Sequence, residues 1–164
     1  VIILVLGGTR SGKSQVAERI TTGLPHPVTY IATALVGDDG DMAARVEQHR
    51  ERRPWSWTTV ESGADLPGAL RTTKGTVLVD SLGAWVACQP ELAIDPDDLI
   101  AALVERDGAS VIVSEEVGLS VHAPTEEGRR FADAMGELNL AVANRADDVI
   151  LVVAGRSLRL GRDA

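Results

Sequence analysis

Residues 7–14 read GGTRSGKS, that is Gly7-Gly8-Thr9-Arg10-Ser11-Gly12-Lys13-Ser14. An apolar run, Ile2–Leu6, precedes them, and a stretch with helical spacing, Gln15–Thr22, follows. The octet satisfies the Walker A pattern, Gly-x-x-x-x-Gly-Lys-Ser, at every position. Each residue type has a physical reason. Glycines let the backbone curl so that successive N–H groups face phosphate oxygens. The helix that follows presents its positive N-terminal end. Lys13 is placed to reach β- and γ-phosphates, and Ser14 to ligate a Mg²⁺ that bridges them. A glycine-rich turn without a ligand would not need this strand–loop–helix setting. The stretch says that a phosphate chain is held. It does not say which bond breaks.

Working outward, apolar β-branched runs recur at Val28–Ile31, Thr76–Val79, Ser110–Val113 and Val149–Val153. Short, continuously apolar runs suit strands buried on both faces of a parallel sheet. Helices are expected between them: Asp41–Arg53, ended by Pro54; Pro96–Glu105, after Asp95; and Glu126–Ala146, after Thr125. Asp95 and Thr125 are N-cap residue types, and Glu126 and Glu127 sit in a positive first turn. Phe131, Met135, Leu138 and Val142 recur at helical spacing and read as a core stripe. This alternation predicts an α/β sandwich around a mostly parallel sheet. Ser157–Leu160 is expected as a last edge strand. Gly37–Gly40 and Glu115–Pro124 read as loops. With 164 residues and no repeat, residues 1–164 are expected to form one domain.

The composition, 45% hydrophobic and 24% charged, suits a soluble globular protein. A formal net charge of −8 argues against general nucleic-acid binding and against docking on anionic membranes. No apolar run approaches the ~20 residues needed to span a bilayer. Val1–Leu6 is too short for a signal peptide, and Cys88 is the single cysteine, which excludes an internal disulfide framework. Cytoplasmic residence is the expectation. Cys88 is expected to be buried and inert.

Two acidic strand ends are candidate partners of the loop. "GTVLVDS" places Asp80 after Val77-Leu78-Val79, where a carboxylate would stand near a Mg²⁺ ion. "VIVSEEVG" ends with Glu115 and Glu116, at the side of a parallel sheet where ligand crevices form. One of these carboxylates would serve an acceptor hydroxyl, or both lie in a solvated loop.

"RVEQHRERRPW" is the unusual stretch of this acidic chain. On a helix Arg45, His49, Arg52 and Arg53 share one face. Cationic neighbours disfavour the imidazolium, and a neutral imidazole can act as a nucleophile. The arginines would hold incoming phosphates. The competing reading is an exposed helix on which Glu47 and Glu51 pair with the arginines. Trp55 and Trp57 are expected to pack. His26 and His122 read as loop residues.

Taken together, "ILVLGGTRSGKSQVAE", "YIATA", "DMAARVEQHRERRPWSWTTVE", "VLVDSLGAWV" and "VSEEVGLSVHAPTEEGRRFADAMGELN" resemble the bifunctional adenosylcobinamide kinase/adenosylcobinamide-phosphate guanylyltransferase family of cobalamin biosynthesis. The resemblance runs in order over nearly the whole chain. Pairing the loop with R-V-x-x-H-x-x-x-R-P is its specific part. It implies a RecA-like P-loop NTPase fold, a three-layer sandwich, and a homotrimer. It implies two reactions on a corrinoid acceptor, with ATP or GTP as phosphate donor and GTP as guanylyl donor. His49 would become guanylylated. Nucleotide contacts would fall on Gly7–Ser14, on Ala32-Thr33-Ala34, on Arg50, Glu51, Arg52 and Arg53, on Glu61 and on Asp80. Ser14 and Asp80 would hold Mg²⁺, and Lys13, Asp80 and Glu116 would join His49 in catalysis. Three positions depart from the family pattern: Glu115 stands where an asparagine is usual, Ala132 where an arginine is common, and Leu140 where a glutamine is common. A monofunctional kinase of another metabolite has no need of His49, and a GTP-binding regulatory module could dispense with it.

Overall fold

The structure is a computed structural model that describes residues 1–34, 54–119, 121 and 123–162. Its centre is a seven-stranded sheet. The strands are β1 (Ile2–Gly7), β2 (Val28–Ala32), β3 (Thr58–Glu61), β4 (Thr76–Asp80), β5 (Ser110–Glu115), β6 (Asp148–Val153) and β7 (Arg156–Leu160). Their spatial order is β3-β2-β4-β5-β1-β6-β7. β1 to β6 pair in parallel, and only β7 runs antiparallel, against β6.

The helices are α1 (Lys13–Thr22), α2 (Leu66–Thr72), α3 (Leu82–Ala87), α4 (Pro96–Glu105) and α5 (Glu126–Arg145). A short 3-10 turn covers Pro90–Leu92. Strand alternation sends β1 side chains to opposite faces. Ile2, Leu4 and Leu6 pack with α2 to α5, whereas Ile3 and Val5 pack with Val16 and Ala17 of α1. The fold is therefore the expected three-layer α/β sandwich. In α5, Met135, Leu138 and Val142 are fully buried, and Phe131 packs at the margin.

Four helices start where a side chain satisfies a free backbone N–H. Asp65 accepts from Gly68 N at 2.9 Å, Ser81 from Ala84 N at 3.4 Å, and Thr125 from Gly128 N at 3.1 Å. Asp95 accepts from both Asp97 N and Asp98 N. α1 has no such cap: it starts from Gly12, whose φ of 91° only glycine adopts without strain. Beyond α4, Arg106 ties the sandwich together. Its guanidinium donates to Leu70 O and Thr73 O, each at 3.0 Å, and to Gly75 O.

Several expectations change. β3, α2 and α3 are additional elements, α1 begins at Lys13, and Glu115 closes β5 instead of opening a loop. Trp57 is buried, but Trp55 is 98% exposed, so it does not pack. Cys88 is half-buried, with its Sγ 3.5 Å from Thr33 O. The 82–87 helix ends beside it and leaves one side open. The helix expected over Asp41–Arg53, the loop at Gly37–Gly40, and His122 lie outside the described residues. Among the described residues, no helix is long and apolar enough to cross a membrane.

Candidate nucleotide site

Parallel strands end on one edge of the sheet. That edge gathers Gly7 of β1, Ala32 of β2, Glu61 of β3, Asp80 of β4 and Glu115 of β5. Register defines the row. Glu61 and Asp80 flank Ala32, and Glu115 stands opposite Gly7. Ala32, Thr33, Asp80 and the loop Gly7–Ser14 therefore meet on the edge where doubly wound sheets hold ligands. Glu61 is on the same edge but at its margin, and it is exposed.

The loop leaves buried Gly7 and exposes Gly8, Thr9 and Arg10. Ser11 returns to the interior: its N–H donates to Gly8 O at 3.2 Å, and its Oγ accepts from Lys13 N at 3.3 Å. Its carbonyl accepts from Gly155 N at 2.8 Å, so the β6–β7 turn braces the loop from behind. Ser14 lies in the first turn of α1 and is half-buried.

Asp80 ends β4, and its Oδ2 accepts the Tyr30 hydroxyl at 3.0 Å. Next to it, Thr33 Oγ1 donates to Ser81 O at 2.6 Å and accepts from Ser81 N at 2.9 Å. These bonds lock the end of β2 to the end of β4.

Of the two adjacent acids that the sequence offered, it is Glu115, not Glu116, whose carboxylate faces Lys13. Its Oε1 accepts from Ser81 Oγ at 2.8 Å, its Oε2 accepts from Gly83 N at 2.8 Å, and Oε1 lies 3.5 Å from Lys13 Nζ. Asn139 of α5 sets this strand end. Its Oδ1 accepts from Ser114 Oγ at 2.5 Å, and its Nδ2 donates to Glu115 O at 3.0 Å. Glu116 turns elsewhere. Its N–H donates to Gly7 O at 3.1 Å, but its carboxylate accepts from Gly118 N at 2.7 Å. It borders a groove of about 360 Å³ along α5, with Leu6, Asn139, Leu140 and Leu160. The only sequence signal for Glu115 was the doubled acid in "SEEV"; its alternation with Ser114 and Glu116 did not say which acid faced the loop.

His49, Arg45, Arg50, Glu51, Arg52 and Arg53 lie outside the described residues. Among the described residues, no three His, Cys, Asp or Glu side chains form a metal-binding group by themselves. A hydroxyl at Ser14 and a carboxylate at Asp80 are hard oxygen donors. They suit Mg²⁺, which binds few protein ligands and takes the rest from phosphate and water.

A glycine loop between a central parallel strand and its helix, with a lysine at its mouth and an aspartate two strands away, defines a P-loop nucleotide-binding protein. Solved structures agree on the fold. The flagellar accessory protein FlaH of Methanocaldococcus jannaschii superposes with a TM-score of 0.52 at 15% identity, covering 95% of this chain and 74% of that one. An ATPase from the type III secretion system of pathogenic bacteria gives 0.54 at 14% identity, covering 92% of this chain and 50% of that one. Sequence comparison is more specific. The chain belongs to the cobinamide kinase / cobinamide phosphate guanyltransferase (CobU) family, whose model matches residues 3–160. It is 39% identical to the bifunctional adenosylcobalamin biosynthesis protein CobP of Pseudomonas aeruginosa, covering 96% of this chain and 95% of the relative. It is 35% identical to the corresponding CobU protein of Salmonella typhimurium, covering 98% and 99%.

Proposed function

We propose that this protein carries out two successive transfers in cobalamin biosynthesis. It phosphorylates adenosylcobinamide with ATP or GTP, then converts the product to adenosylcobinamide-GDP with GTP. The observation that carries this reading is family membership over residues 3–160, joined to an intact phosphate loop on the edge where Asp80 and Glu115 end their strands.

In the first reaction the acceptor hydroxyl oxygen bonds to the γ-phosphorus. The bond from that phosphorus to the β-bridging oxygen breaks, and the nucleoside diphosphate leaves with the electron pair. The hydroxyl proton passes to a carboxylate, the role assigned to Glu116, whose side chain would have to leave Gly118 N to take it. Loop N–H groups and Lys13 stabilise the charge that spreads over the transferred phosphoryl oxygens. Ser14 and Asp80 would hold Mg²⁺, which supplies charge neutralisation at the phosphates when bound. Ala32, Thr33, Ala34 and Glu61 complete the nucleotide contacts on the same edge.

In the second reaction an imidazole nitrogen of His49 bonds to the α-phosphorus of GTP, and pyrophosphate leaves with the electrons of the α–β bridge. A phosphate oxygen of the acceptor then displaces the histidine, forming the P–O–P link as the N–P bond breaks. Arg50, Arg52 and Arg53 hold the triphosphate and the departing pyrophosphate, with Glu51 among the contacts. The chain works as one domain, residues 1–164, in a cytoplasmic homotrimer.

The decisive experiment uses GTP labelled at the α-phosphate. The denatured protein should retain label that is lost in acid and kept in base, and His49→Ala should abolish it. An active protein that takes up no label overturns the guanylyl step and leaves a monofunctional kinase. A protein that neither takes up label nor phosphorylates adenosylcobinamide would be a nucleotide-binding module.

A further inference from the structure

β5 lies between the strand that feeds the phosphate loop and the strand that ends in Asp80. Its terminal residue, Glu115, is thereby inserted into the site from the middle of the sheet. The carboxylate is pinned by two donors, the Ser81 hydroxyl and the Gly83 N–H, and both are on another strand end and helix. A Cβ at residue 83 would collide with Glu115 Oε2, so the close approach depends on a glycine there. Lys13 Nζ is 3.5 Å from the pinned carboxylate, with the two side chains 14% and 25% exposed. A lysine is a compact charge on a flexible stem and does not fix its own direction. A carboxylate that two donors hold in place can fix it.

We propose that Glu115 is a positioning residue for phosphate transfer: it aims the Lys13 ammonium across the mouth of the loop and offsets part of its charge. The inference rests on reading the loop as a nucleotide site. It has two effects of opposite sign. The carboxylate repels an incoming triphosphate, so it weakens binding of the ground state. It also holds Lys13 where charge develops during transfer, so it raises turnover. Glu116 does not share this role, because its carboxylate is turned to Gly118 N.

Glu115→Gln isolates the charge. A glutamine oxygen still accepts from Gly83 N–H, and its amide donates to Ser81 Oγ, which can accept it. The ion pair with Lys13 is lost, and the Ser81 hydroxyl changes from donor to acceptor. Two quantities are measured: the Kd of a fluorescently labelled GTP in EDTA, and kcat and KM for phosphorylation of adenosylcobinamide. The expected result is labelled GTP bound about fivefold tighter, with kcat lowered about tenfold, the sizes that losing one partly screened charge pair gives. Gly83→Ala pushes the carboxylate aside and keeps its charge, so kcat should fall with no gain in affinity. A Glu115 that merely anchors α3 would leave Glu115→Gln silent in both measurements. That outcome, or weaker binding by the glutamine variant, overturns the proposal. A wild-type chain that binds no labelled GTP overturns the nucleotide-site reading itself, and the proposal with it.

Discussion

Thr33 and Ser81 exchange two hydrogen bonds, Thr33 Oγ1 to Ser81 O at 2.6 Å and Ser81 N to Thr33 Oγ1 at 2.9 Å. Thr33 is fully buried and Ser81 nearly so. Thr33→Val keeps the shape and removes both bonds, leaving a buried N–H and a buried carbonyl without these partners. Urea denaturation should show a loss of about 2–4 kcal/mol, because each orphaned buried group costs roughly 1–3 kcal/mol. Thr33→Ser keeps the hydroxyl and should lose less than half as much. Equal losses for the two variants would show that the methyl group, not the hydroxyl, holds the strand ends together.

Arg106 supports a second test, far from the loop. Three backbone carbonyls, at Leu70, Thr73 and Gly75, accept from its guanidinium. Burial lowers its pKa, so taking the charge out of water opposes folding. Arg106→Met removes the bonds and that opposing cost together. The net loss should be roughly 2–3 kcal/mol, less than three charged hydrogen bonds would suggest. The loss should be the same at neutral and mildly alkaline pH, since the guanidinium stays protonated throughout. A melting curve unchanged by the substitution would mean that water replaces the guanidinium at no cost.

Gly12 ties local backbone to ligand affinity. Its φ is 91°, and a Cβ there would stand 3.3 Å from Gly155 Cα. Gly12→Ala should destabilise the chain by about 1–2 kcal/mol, the cost of a side chain in left-handed backbone. Binding of labelled GTP should fall much further, because the loop's N–H groups would be re-aimed. A variant that loses stability and keeps full affinity would separate the loop's conformation from its ligand.

What the sequence made legible follows from what is local. The octet Gly7–Ser14 carries its own geometry in its residue types. β1, β2, β4 and β5 announce themselves because both of their faces are buried, β6 because its run is apolar although one face is only half-buried, and the caps at Asp95 and Thr125 mark their helices directly. β3 escaped notice because "TTVE" has one partly buried apolar residue and lies at the sheet's edge. α2 and α3 are seven and six residues long and contain Pro67, Gly68 and Gly83. Their helical state comes from caps and packing, not from propensity. At the site, the pair Lys13–Glu115 was hidden because chain order does not show that β5 inserts between β1 and β4. Only the register places Glu115 opposite Gly7.

The bond from Gly155 N to Ser11 O has a consequence for biosynthesis. The ribosome delivers a chain N-terminal side first, and a domain generally folds as a unit. The phosphate loop leaves the exit tunnel well before the turn that braces it has been translated. A nascent chain therefore displays the loop's sequence well before it has the loop's shape. Until β6 and β7 have docked, a chaperone would meet a loop that is spelled out and not yet able to grip a nucleotide.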